Sequence, residues 1–81
     1  MSQFMKIEPS LLDSLCKIEW FIFDNSDKLF VEFGISKYAE LLSVSISSVD
    51  VKITYALSTG QYIADRIDIE DYNVWVDKLN G

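Results

Sequence analysis

Four carboxylates stand within seven residues of this sequence: Asp65, Asp68, Glu70 and Asp71. Acids spaced this closely can hold a divalent cation, act as a general acid and base, or present a negative surface to a basic partner. The cation loop needs Asp-x-Asp-x-Asp-Gly followed by a glutamate, and that pattern is absent. Acid–base chemistry on two carboxylates needs a cleft, and 81 residues leave little depth for one. The chemistry expected of Asp65, Asp68, Glu70 and Asp71 is therefore partner binding: carboxylates in a groove built for nucleic-acid phosphates, which follow one another at about 1.7 Å per charge along duplex DNA. Such a surface also steers a cationic protein toward it. The plain structural reading of the same residues is a strand-to-helix junction. There Asp68 caps the helix, Asp71 reciprocates three residues on, and Glu70 complements the positive helix start.

Other reactive residue types are scarce. Histidine is absent, which removes the commonest general base and metal ligand and every Ser-His or Cys-His pair. One cysteine, Cys16, cannot make an internal disulfide or a structural zinc site; among Leu12, Leu15 and Ile18 it reads as a buried, inert thiol. The glycines Gly34, Gly60 and Gly81 are isolated, so no phosphate-cradling loop exists. The expectation is a protein that is not an enzyme and that carries no cofactor or metal.

Charge narrows the partner class. Seven Lys and Arg face thirteen Asp and Glu, for a net charge of −6, and each base lies close to an acid. A phosphate backbone would be repelled, so no direct nucleic-acid binding is expected, and the partner is a basic protein. No 18-residue stretch lacks charge, so no membrane span is expected. The start lacks a signal-like apolar run, and a lone cysteine suits a reducing compartment, so the expected location is the cytoplasm. With 49% apolar residues the chain is a single folded domain over 1–81 and not a disordered one.

The elements that must position these residues can be read from periodicity. Pro9 opens a first helix with Leu11, Leu12, Leu15 and Cys16 on one stripe, ending near Lys17. Ile18–Phe23 and Lys28–Phe33 flank the polar Asp24-Asn25-Ser26-Asp27 and read as a hairpin. In it, Ile18, Trp20 and Ile22 pair with Phe33, Val31 and Leu29 on one apolar face. Phe21, Phe23 and Phe30 lie on the other, as a contiguous aromatic patch that is either covered by a helix or open to a partner, including a second copy in a homodimer. Gly34 ends that strand, and Ser36 caps a short helix from Lys37 to Leu42.

From Val49 the period becomes two: Val49, Val51, Ile53, Tyr55 and Leu57 alternate with polar or small residues. Ser58-Thr59-Gly60-Gln61 turns the chain, and Tyr62–Ile69 runs back. The register that best pairs both apolar and charged residues sets Ile53 opposite Ile67, Lys52 opposite Asp68 and Asp65 opposite Tyr55. Asp65 then lies on the apolar face, as an edge-strand charge or a functional acid. Tyr72, Trp75, Val76 and Leu79 form one face of a last helix. The fold class is α+β, a four-stranded mainly antiparallel sheet from two β-hairpins packed with two or three short helices, in the order α-β-β-α-β-β-α.

One local resemblance exists. Tyr38 to Val49 resembles the helix-turn-helix DNA-binding family, with Ala39, Ser43 and Val49 at its small, turn and aliphatic positions and Leu42 and Val44 suiting its core. It spans twelve residues, has Ser43 where that family usually has glycine, and offers no arginine in the would-be recognition helix. It implies a DNA-binding regulator using residues 38–54. The leading expectation is instead a non-catalytic inhibitor or modulator of a basic, nucleic-acid-handling protein. In character it resembles phage anti-defence proteins, including anti-CRISPR proteins, and bacterial immunity proteins. The third expectation is a structural subunit assembled through the aromatic patch.

Overall fold

The alternation from Val49 onward folds as period two dictates. In the computed structural model, which describes residues 6–7 and 15–81, Asp50–Ala56 and Tyr62–Asp68 are antiparallel neighbours. With Glu40–Ile46 they form a three-stranded sheet of strands β1 (Glu40–Ile46), β2 (Asp50–Ala56) and β3 (Tyr62–Asp68), in the order β1-β2-β3. Helices α1 (Leu15–Asp24) and α2 (Ser26–Glu32) precede the sheet, and α3 (Ile69–Asn80) follows it. The fold is α+β, but the sheet has three strands and the order is α-α-β-β-β-α, not the four strands expected.

The difference lies in residues 15–46. Ile18–Phe23 is apolar at five of six positions, so it carries no alternation to hold it in a strand. As a helix it places Ile18 and Ile22, four apart, in the core, with Phe21 packed beside them. The tetrapeptide read as a hairpin turn is a joint between two helices. Asn25 leaves helical geometry at φ −117° and donates both its backbone N–H (3.1 Å) and its side-chain amide (2.9 Å) to the Phe21 carbonyl. Its own carbonyl then accepts the Leu29 N–H at 2.9 Å, starting α2. Gly34 closes α2: at φ +72° it lets the Ile35 N–H reach back to the Phe30 carbonyl (2.8 Å), a Schellman-type stop. Of the expected first helix, the stretch with Pro9, Leu11 and Leu12 lies outside the described residues, and the described part runs through Lys17 without ending there.

Residues 37–42 are not a helix. Ser36 does accept a bond from the Tyr38 N–H (3.2 Å), but the chain turns and enters β1 at Glu40. β1 joins β2 through the two-residue loop Ser48-Val49, closed by Ser47 N–H to the Asp50 carbonyl (2.9 Å). Segment 38–54 thus contains a β-hairpin, and the recognition helix implied by the helix-turn-helix resemblance is not formed.

Between β2 and β3 the expected faces are right and the register is two residues off. Leu57 N–H bonds the Gln61 carbonyl (2.8 Å), leaving Ser58-Thr59-Gly60 as the loop, with Gly60 at φ +91°. Val51 therefore faces Ile67, Ile53 faces Asp65 and Tyr55 faces Ile63. An even shift keeps every side chain on its face.

All three helices lie with the core on one side of the sheet. Val44, Val51, Ile53, Tyr55 and Ile67 meet Ile18, Ile22, Leu29, Phe30, Tyr72, Trp75 and Val76. Ile7 joins this core through Asn73: its N–H donates to Asn73 Oδ1 (2.8 Å), and Asn73 Nδ2 donates to its carbonyl (3.0 Å). Lys6 and Asp77 add an ion pair at 2.6 Å, worth little at the surface. Replacing Asn73 by Ala strands both Ile7 backbone groups and should cost about 1–3 kcal/mol. The check is a urea midpoint that falls with an unchanged denaturant slope.

Candidate partner-binding surfaces

The strand-to-helix junction at Asp68 is where negative charge gathers. Asp68 occupies the N-cap position of α3 at φ −59°, ψ 145°, and its side chain makes no capping bond. The backbone supplies the anchor instead, through Ile69 N–H to the Val49 carbonyl at 3.3 Å. Across the strands Asp68 faces Asp50, and one step along Lys52 faces Arg66, so like sits opposite like twice over. The relief is diagonal: Arg66 Nη1 lies 3.9 Å from Asp50 Oδ2, and Ser47 Oγ donates to Asp50 Oδ1 at 3.1 Å. Asp68, Glu70 and Asp71 are exposed and have no ion-pair or hydrogen-bond partner among the described residues.

Asp65 is separated from the other three. Strand alternation puts it on the helix-covered face of edge strand β3, while Asp68 belongs to the bare face. It accepts the Tyr55 hydroxyl at 2.8 Å. Tyr55 is buried, and that burial, with the hydrogen bond and charge of Asp65 adding to it, pushes the phenol up to about 12. Asp65 therefore has an internal task, satisfying a buried hydroxyl at the sheet edge.

The expected aromatic patch is dispersed. Residues two apart point in nearly opposite directions on a helix, so Phe21 and Phe23 cannot share a face of α1, and Phe30 stands on α2. Phe21 packs on Trp75 (ring centroids 5.8 Å) and Phe30 is buried against Tyr55 (5.7 Å), leaving only Phe23 at the surface. A different stripe takes its place. Cys16, Glu19, Trp20 and Phe23 recur at i, i+3, i+4 and i+7 on α1 and line an open groove of about 310 Å³. Cys16 is exposed, not buried as expected, and Trp20, read as core, is 66% exposed; Trp75 is core. The same spacing was present in the sequence but competes there with the strand pattern. A second hollow, between α2 and the end of α3, is crossed by the ion pair of Lys78 with Glu32 at 2.7 Å.

Among the described residues, no three His, Cys, Asp or Glu side chains form a group able to hold a metal ion. No helix of the described residues is long and apolar enough to cross a membrane. In comparisons with known proteins, no family model, curated protein or solved structure matches the chain.

Because Tyr55 is held neutral in the fold, its stabilisation is fully present below about pH 10, the ordinary phenol value, and is lost as pH rises through about 12. Tyr72, raised by burial, adds in the same direction. Chemical denaturation between about pH 9 and 11 should therefore show stability falling with pH, and Tyr55→Phe should flatten that fall.

Proposed function

We propose that this chain is a non-catalytic protein-binding module, an inhibitor or modulator of a basic target that handles nucleic acid, in the manner of phage anti-defence and immunity proteins. The observation that carries the reading is the state of Asp68. It stands at a helix N-cap without capping it, faces a second aspartate across the strands, and is followed by two solvated acids in the next turn. Carboxylates committed to the fold would be bonded or paired; these three are left to act outward. Together with the net charge of −6 they present a negative end that attracts cations over about a Debye length, 8–10 Å at ordinary salt. The target's basic groove, built for phosphates, is the complementary surface.

Because Asp68 makes no side-chain capping bond, the triple substitution Asp68→Asn, Glu70→Gln, Asp71→Asn should leave helix content nearly unchanged by circular dichroism. Used as bait in a lysate of the source cell, the unaltered chain should retain a basic protein. The triple variant should bind it at least about tenfold more weakly, with a shallower salt dependence. Equal capture by both baits, or a direct shift of a DNA probe by the chain alone, would end this reading.

A further inference from the structure

α1 has two apolar faces. Ile18 and Ile22 enter the core, and at about 100° per residue Trp20 stands opposite them, pointing away from the sheet. Cys16 and Phe23, four residues before it and three after it, complete an outward stripe along the open groove. Trp20 is 66% exposed and Phe23 37%, so much of this stripe meets solvent. Exposed aromatic rings gathered on one helix face are the kind of surface that anchors a protein contact.

The charges beside the stripe say what would cover it. Lys17 and Asp24, seven residues apart, run along one flank, and Glu19 lies on the other. Lys17 and Asp24 are exposed and make no ion pair among the described residues. Asp24 also stands in the last turn of α1, where the helix end is itself negative and no base is present. Asp24 thus lacks a cation, and Lys17 lacks a carboxylate. A second α1 laid antiparallel across the first at Trp20 supplies both. Lys17 of each copy then meets Asp24 of the other, and Cys16 of each lies against the other's Phe23. Laid parallel, the helices would instead bring Glu19 against Asp24, acid to acid. The net charge of −6 on each copy opposes the pairing, but it is spread along the chain and screened beyond about 8–10 Å at ordinary salt.

We propose that the chain forms a weak antiparallel homodimer through the outward stripe of α1, with Trp20 at the two-fold axis and a Lys17–Asp24 pair on either side. This is independent of the reading above, which concerns Asp68, Glu70 and Asp71. Two helical turns bury less than the standard of about 800 Å² per partner, so a dissociation constant on the order of 100 µM is expected. Sedimentation equilibrium of the full chain across that concentration should show the mass rising from one copy to two. Trp20→Ala should abolish the rise. Asp24→Lys suits the helix end and lowers the net charge, yet it sets lysine against lysine and should weaken association at least about tenfold. Adding Lys17→Asp to Asp24→Lys exchanges the two charges, returns the net charge to −6 and should restore the dimer. Glu19→Gln should tighten it severalfold, because each Glu19 shares its flank with its own copy. Circular dichroism should show unchanged helix content in every variant. The two Cys16 residues would lie about 12 Å apart along the helices, beyond the roughly 7 Å a disulfide can span, so oxidation should not link them. A monomer at every concentration, a dimer indifferent to Trp20→Ala, a charge exchange no better than the single reversal, or ready crosslinking through Cys16 would overturn the proposal.

Discussion

A sheet with one apolar face has to be covered on that face and nowhere else, and Trp75 is where its covers meet. Its ring lies 5.8 Å from Phe21 on α1 and 5.7 Å from Tyr72 one turn back on α3. Three strands present Val44, Val51, Ile53, Tyr55 and Ile67, more apolar width than one 12-residue helix can shield. The first half of the chain must supply the second cover. That requirement, more than local propensity, makes a helix of a β-branched and aromatic run.

The constraint also explains what could be read in advance. β2, β3 and α3 each carry a clean period, and each was legible from its residues, including Tyr72, Trp75 and Val76 as the buried face. The first cover was not, because Ile18–Phe23 is apolar nearly throughout and both periods fit it. β1 was hidden for a different reason. Leu41 and Leu42 resemble a helix face, whereas in the strand the first turns inward and the second falls at a bulge, 43% exposed. Charge misled the register as well: Lys52 opposite Asp68 looks better on paper than the diagonal Arg66–Asp50 contact. The three-residue loop at Gly60 and the Tyr55–Asp65 bond go with the other register.

The site residues divide along the same line. The exposure of Asp68, Glu70 and Asp71 was legible, because acids at a helix start have little reason to be buried. The role of Asp65 depended on which strand neighbour it reached, and Trp20 on whether its segment coiled. As a result the acids stand at the β3-to-α3 junction, while the apolar groove lies on α1.

The Ile7–Asn73 clasp joins residues 66 positions apart, and α3 contributes Tyr72, Trp75 and Val76 to the core. On a ribosome, the sheet and both leading helices would emerge with their shared hydrophobic face still uncovered. At the usual pace of synthesis, roughly 5–20 residues per second, that interval lasts on the order of a second. Throughout it the uncharged stretch from Leu41 to Val49 is at its most exposed to other chains. Completion of α3 is thus the step that turns a sticky nascent hairpin into a protein.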